Sequence, residues 1–176
     1  GCVNLYKIFK KFKIKTFVQI GSSLEYGKIP SPQKEFIKSK TYSIYAKSKL
    51  MATKFILRKF VLDSFPSVVV RGYQVYGPRQ DNNRLISIVI FNCLKNKYFS
   101  CSSGEQSRDF LYIDDFVLAI YKVLNNKKAL GKIINIGYGK SIKVKYVILK
   151  IKNLIKKGTP LFNKIKLRKD ESMNLF

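Results

Sequence analysis

Two periodicities alternate along this chain. Leu5, Ile8, Phe9 and Phe12 recur at i, i+3, i+4 and i+7, the spacing of an amphipathic helix with lysines on its other side. Thr16-Phe17-Val18-Gln19-Ile20 is a short β-rich run, read as a buried strand ending at Gly21. Residues 27–40 hold Gly27, Pro30 and Pro32 and read as loop. A helix is expected over 42–60, capped by Thr41 or Ser43, with Ile44, Met51 and Phe55 as its apolar stripe. Pro66 closes the connection. Ser67-Val68-Val69-Val70-Arg71 is a second buried strand, a continuous apolar run of the kind that a parallel sheet covered on both faces requires.

Residues 77–83 form a polar turn region and 85–94 a helix; 97–108 read as irregular, with Gly104. A short strand is predicted over 109–113. Val117, Ile120, Tyr121 and Leu124 make another helical stripe behind Asp114 and Asp115, where negative charge suits the helix dipole. Residues 132–136 are strand-like and end at Gly137, 144–155 form a last helix, and 164–176 carry no clear pattern. There is no internal repeat. Helix and strand alternating in this order predict a layered α/β fold.

Composition sharpens the picture in three ways. The 176 residues, 46% apolar and 26% charged, suit one folded, core-bearing soluble domain. The net charge of +25 would draw the chain to nucleic acid or acidic lipid, but lysines are spread throughout and a lysine-rich bias explains the excess as well as a binding patch would. Nucleic acid is therefore not the expected partner. Cys2, Cys93 and Cys101 lack paired-ligand spacing and read as reduced thiols of a cytosolic protein, with no metal site. No apolar run reaches membrane-spanning length and no leader with a cleavage site is visible, so a cytoplasmic protein without a membrane partner is expected.

The chain has no histidine, so proton transfer at neutral pH needs other groups. Tyr45 and Lys49 stand four apart on one helix face. An ammonium beside a phenol favours the phenolate, and a serine from a second element can hold the reacting oxygen. The plain alternatives are an exposed helical pair and, for Ser22, a hydroxyl that satisfies a turn.

Five segments in order carry a family resemblance: residues 16–27 with Gly21-Ser22-Ser23-Leu24-Glu25-Tyr26-Gly27; Tyr45-Ala46-Lys47-Ser48-Lys49; residues 71–80; Gly104-Glu105-Gln106-Ser107-Arg108-Asp109-Phe110-Leu111-Tyr112-Ile113-Asp114-Asp115; and Asn135-Ile136-Gly137. Together they resemble the extended short-chain dehydrogenase/reductases of the NAD-dependent epimerase/dehydratase family, which act on nucleotide-linked sugars. The resemblance covers about residues 1–140. It implies a Rossmann-like parallel sheet with flanking helices, incomplete because the N-terminal glycine-rich βαβ unit that cradles the dinucleotide pyrophosphate is missing, plus part of a smaller substrate-binding region. Residues 1–74 would be the C-terminal half of the NAD-binding domain, with the catalytic motif. Residues 75–176 would be mainly substrate-binding, with strands near 109–113 and 132–137 returning to the core. The chain reads as an internal piece of a longer enzyme.

The roles implied by the resemblance are specific. Tyr45 would be the general acid or base toward a sugar oxygen. Lys49 would support it and hold the nicotinamide ribose of NAD, with NADP as the alternative. Ser22 would hydrogen-bond the reacting oxygen, with Ser23 as second candidate. Tyr73 would lie near the nicotinamide amide. Gln74 stands where many members place a substrate-facing asparagine; Arg79 is a substrate contact or a loop tether. Arg108 would meet the nucleotide diphosphate or form a salt bridge with Asp109 or Asp114. Dehydratases follow the catalytic threonine with Asp-Glu, and Ser23-Leu24 here cannot move those protons. Epimerisation is favoured slightly over 4-keto reduction. An inactive interaction module and a basic nucleic-acid binder are the competing readings. Related enzymes often pair through the Tyr/Lys helix, which sets the expectation of a homodimer.

Overall fold

The computed structural model describes residues 1–39, 41–167 and 171–176. Lys40, in the predicted 27–40 loop, and residues 168–170, in the predicted patternless C-terminal stretch, lie outside the described residues. The strands are Phe17–Ile20 (β1), Ser67–Gly72 (β2), Gln74–Tyr76 (β3), Tyr98–Ser100 (β4), Ser107–Arg108 (β5), Phe110–Tyr112 (β6), Ile133–Ile136 (β7), Ile142–Lys143 (β8), Thr159–Leu161 (β9) and Asn174–Leu175 (β10). The helices are Cys2–Phe9 (α1), Ile44–Asp63 (α2), Leu85–Leu94 (α3), Ile113–Leu124 (α4) and Val144–Ile155 (α5).

The valine run does what its composition demands. Strand β2 is the middle of a parallel layer ordered β1-β2-β7, with Val18 opposite Val68 and Val70 opposite both Ile20 and Ile134. Side chains alternate across a strand. Val68 and Val70 therefore pack on one face with Leu111, Val123 and Ile136. Val69 packs on the other with Tyr6, Ile56 and Phe65. Helices cover both faces, and the layer is an incomplete Rossmann fold. A second core lies between α3 and α5, built on Val89, Cys93, Phe99, Val144 and Ile148.

Helix α2 begins at Ser43, whose hydroxyl accepts from the Ala46 amide at 3.2 Å. It ends at Ser64, in left-handed backbone at φ 51, two residues before Pro66. Of the two predicted caps, Ser43 is the one used, and the helix runs three residues beyond the predicted end.

Several helical faces differ from the periodicity reading. In α1 the buried side chain is Tyr6, packed edge-on against Phe55 and Phe65. Leu5, Ile8 and Phe12 are exposed, and Phe12 lies beyond the helix. In α2, Ile44 and Met51 are 88% and 71% exposed, while Ala46, Thr53 and Ile56 are buried. In α4, Val117, Tyr121 and Leu124 face out, and Phe116, Ala119 and Val123 face the sheet. The cause is shared. In a chain this rich in Ile, Leu, Phe and Tyr, apolar residues recur around the whole helix, so more than one stripe satisfies the spacing.

The stretch predicted to be irregular, 97–108, contains β4, which pairs in parallel with β9, and β5. The tail predicted to lack pattern contributes β10, parallel to β5. Both are strands of two or three residues, too short to show an alternation. The predicted strand 109–113 gives way to α4 at Ile113. Strand β1, read as buried, is half-buried with an exposed Ile20, because among the described residues only β2 pairs with it.

The corrected α4 register is directly testable. Val123→Asp places a charge against the sheet and should lower the unfolding free energy by several kcal/mol, read as a lower urea midpoint. Tyr121→Asp, at a side chain 65% exposed, should change stability by no more than about 0.5 kcal/mol. The reverse order would restore the Val117/Tyr121 stripe as the buried face.

Candidate active site

Strand β1 delivers the chain into the Gly21–Gly27 loop, where residues Ser23–Tyr26 form a turn of 3₁₀ helix capped by Ser22. The cap is reciprocal. The Ser22 hydroxyl accepts from the Leu24 amide at 3.2 Å, and Glu25 Oε1 accepts from the Ser22 amide at 2.8 Å. Ser22 keeps its O–H as a donor. Ser23 is buried, and Leu24 is exposed.

Glu25 is fully buried. Its Oε2 accepts from Thr53 Oγ1 at 2.8 Å and from Arg71 Nε and Nη2 at 3.1 and 2.8 Å. Arg71, only 1% exposed in the middle of the parallel layer, also lies over the Tyr26 ring at 4.4 Å. The Tyr26 hydroxyl donates to Asn135 Oδ1 at 2.8 Å, which ties the loop to the end of β7.

Helix α2 brings up the Tyr/Lys pair. Lys49 Nζ donates to the Ile20 carbonyl at 3.1 Å, two residues before Ser22, and lies 5.8 Å from the centroid of the exposed Tyr45 ring. The lysine thus joins the helix to the strand end that launches the Ser22 loop. Its ammonium has three N–H donors, so donors remain for vicinal hydroxyls. That suits the ribose end of a dinucleotide. The glycine-rich turn for the pyrophosphate is not in this chain.

The other predicted residues lie on neighbouring segments. Tyr73 follows β2 and donates to Gln33 Oε1 at 3.4 Å. Burial, reinforced by nearby Tyr26, Asp109 and Glu35, pushes its pKa well above the usual tyrosine value, so it stays a phenol and a donor. Gln74 is half-buried in β3, its amide bonded to the Asp109 carbonyl at 2.9 Å. Arg79 is exposed in left-handed backbone at φ 61. The bond that ties this loop back to β3 comes from Gln80, whose Nε2 donates to the Val75 carbonyl at 2.8 Å. Arg108 is buried and paired with Glu171, rather than with Asp109 or Asp114, and it donates to the Ser107 carbonyl at 2.7 Å.

Four residues outside the set predicted for the site hold this region together. They are Glu25, Thr53, Asp109 and Asn135. For Glu25 a signal existed: Ser22-Ser23-Leu24-Glu25 is the S-x-x-E capping-box spacing. Asp109 is buried and accepts from the amides of Tyr138 and Gly139 at 2.7 and 2.8 Å, fixing the turn after β7.

Such a layer, with a Tyr-x-x-x-Lys helix packed beside a serine loop, defines the chain as part of a Rossmann-type protein. The profile of the NAD dependent epimerase/dehydratase family matches residues 1–137, and the chain belongs to that family. A Bacillus subtilis protein described as an uncharacterized UDP-glucose epimerase is 30% identical over 152 residues, 86% of this chain and 48% of its own length. Human dTDP-D-glucose 4,6-dehydratase is 33% identical over 149 residues, 82% of this chain and 41% of its own. The structure of UDP-glucuronic acid 4-epimerase from Bacillus cereus, in complex with UDP-glucuronic acid and NAD, superposes with a TM-score of 0.92 at 27% identity, covering 99% of this chain and 56% of that one. The chain therefore spans about half the length of the proteins it matches. Epimerases and dehydratases lie equally near.

Asp109→Asn keeps the side-chain shape but turns one acceptor of the Tyr138 and Gly139 amides into a donor. The variant should lose about 1.5–3 kcal/mol, read as a lower urea midpoint at unchanged slope. An unchanged midpoint would show that these two bonds do not hold the turn.

Proposed function

We propose that the intact protein carrying this chain is a NAD(P)-dependent nucleotide-sugar epimerase, with Ser22, Tyr45 and Lys49 as its reacting group. The observation that carries the reading is the position of Lys49, which faces the Tyr45 ring while bonded to the carbonyl two residues before Ser22. In this reading Tyr45 removes the proton from a sugar hydroxyl and returns one to the carbonyl that forms. The Ser22 hydroxyl donates to the same oxygen and holds it in line. Lys49 sets a positive charge beside Tyr45 and bonds the ribose hydroxyls of the dinucleotide. When bound, the nicotinamide supplies the hydride acceptor and donor. Tyr73 faces its amide, Arg108 meets the substrate diphosphate in exchange for Glu171, and Ser23, Gln74 and Arg79 line the sugar side.

Dehydration is disfavoured by the loop itself: Ser23 is buried, Leu24 is apolar, and the carboxylate that follows them is spent on Arg71. The family resemblance of the Gly21–Gly27 loop keeps 4-keto reduction as the second reading. The two differ in stoichiometry, because a reductase consumes reduced dinucleotide mole for mole and an epimerase does not. Among the described residues no helix is long and apolar enough to cross a membrane. The free thiols Cys2, Cys93 and Cys101 support a cytoplasmic setting. Exposed Ile44, Met51, Val61 and Leu62 support pairing of two copies through α2.

In the intact protein, Tyr45→Phe should reduce turnover by about 10²–10⁴-fold while nucleotide-sugar affinity, read by calorimetry, stays nearly unchanged. A variant that keeps its rate overturns the acid/base assignment.

A further inference from the structure

One buried carboxylate touches each of the elements that the proposed reaction must align. Tyr45, Lys49 and Thr53 follow one another at i, i+4 and i+8, so all three lie on one face of α2. The first is exposed, the second half-buried and the third only 1% exposed. Thr53 donates to Glu25 Oε2, and the other oxygen of that carboxylate takes the amide of Ser22. The helix that carries the phenol and the ammonium and the loop that carries the serine are thereby bonded to the same group. Arg71 fixes that group from the central strand through two N–H bonds. A Cβ on Gly21 would collide with Glu25 Oε1, so the glycine keeps open the space into which the carboxylate fits.

We infer that Glu25, held by Arg71 and gripped by Thr53, is a positioning residue that sets the separation of Ser22 from Tyr45 and Lys49. The inference rests on the chemistry proposed above for those three side chains. Glu25 and Thr53 touch no reacting atom. They act through the Ser22 amide at one end and the α2 face at the other. The Lys49 bond to the Ile20 carbonyl restrains the same joint from outside, so loss of the Thr53 bond loosens the arrangement without dismantling it. A displacement on the order of 1 Å at a reacting group costs up to about a hundredfold in rate.

Glu25→Ala would strand Arg71 and unfold the core, so the test uses Thr53→Val, which removes one hydroxyl at constant shape, and Thr53→Ser, which restores it. In the intact protein Thr53→Val should lower kcat by about tenfold or more with KM nearly unchanged, and Thr53→Ser should recover most of the loss. A folded Thr53→Val enzyme with full kcat overturns the inference, as does a loss that serine fails to restore. Tyr45→Phe, measured alongside, separates the two levels. An active Tyr45→Phe overturns the proposed chemistry and the positioning with it. An inactive Tyr45→Phe beside a fully active Thr53→Val overturns the positioning alone.

Discussion

A guanidinium in the middle of a parallel β-layer is costly unless it is paired, and here one glutamate pairs it. Arg71 lies on the strand that holds both apolar faces together, with Val68, Val69 and Val70 immediately before it. Its Nη1 is buried without a partner among the described residues, so compensation falls mainly on the bonds from Nε and Nη2 to Glu25, helped by a long bond from Nη2 to Ser39 Oγ at 3.4 Å and by the face of Tyr26. Removing one member of such a pair typically costs about 3–5 kcal/mol, because the other is left as an uncompensated charge. The pair is weak evidence of net stability. It is strong evidence of fixed geometry, since a buried carboxylate with four donors has one low-energy placement.

The core and the site are therefore continuous. The alternation of β2 sends Val69 to the α2 side, where Ile56 meets it, and three residues earlier on that helix Thr53 meets Glu25. Packing fixes the rotation of α2 about its axis, and the same rotation decides where Tyr45 and Lys49 point. On the opposite face Leu111 packs with Val68 and Val70, which places β6 and hence Asp109. Asp109 then fixes the turn after β7 that lies against Tyr73. Segments from the Ser22 loop to the turn at Gly139 are thus fixed relative to one strand and its two covered faces.

The backbone skeleton was legible because its strongest signals are unambiguous. A run of three valines bounded by Pro66 and Gly72 reads only as a buried strand, and Thr41 or Ser43 before a long helical stretch reads as a cap, of which the fold uses Ser43. The helix faces were not legible, because Ile44 and Met51 satisfy the periodic rule as well as Ala46, Thr53 and Ile56 do, and only the three-dimensional neighbours choose between them. The Tyr45–Lys49 spacing could be read because helical geometry alone sets it. The Arg108–Glu171 pair could not, since 63 positions separate its partners and nothing local to either points to the other. Glu25 falls between these cases. The capping-box spacing announces its bond to Ser22, but the buried arginine it also serves lies 46 positions away.

The fate of the carboxylates explains why a phenol and an ammonium are left to carry proton transfer in the proposed site. The chain has only 10 acidic residues against 35 basic ones. Those nearest the site are already engaged: Glu25 with Arg71, Glu35 with the Asn135 amide at 3.0 Å, and Asp109 with two amides. Carboxylate oxygens already taken by fixed donors inside the fold are not free to reach a substrate. With no histidine in the sequence, the groups that α2 leaves beside the Ser22 loop are the exposed Tyr45 and the half-buried Lys49. Their pairing follows from what the fold has already used as much as from their spacing on the helix.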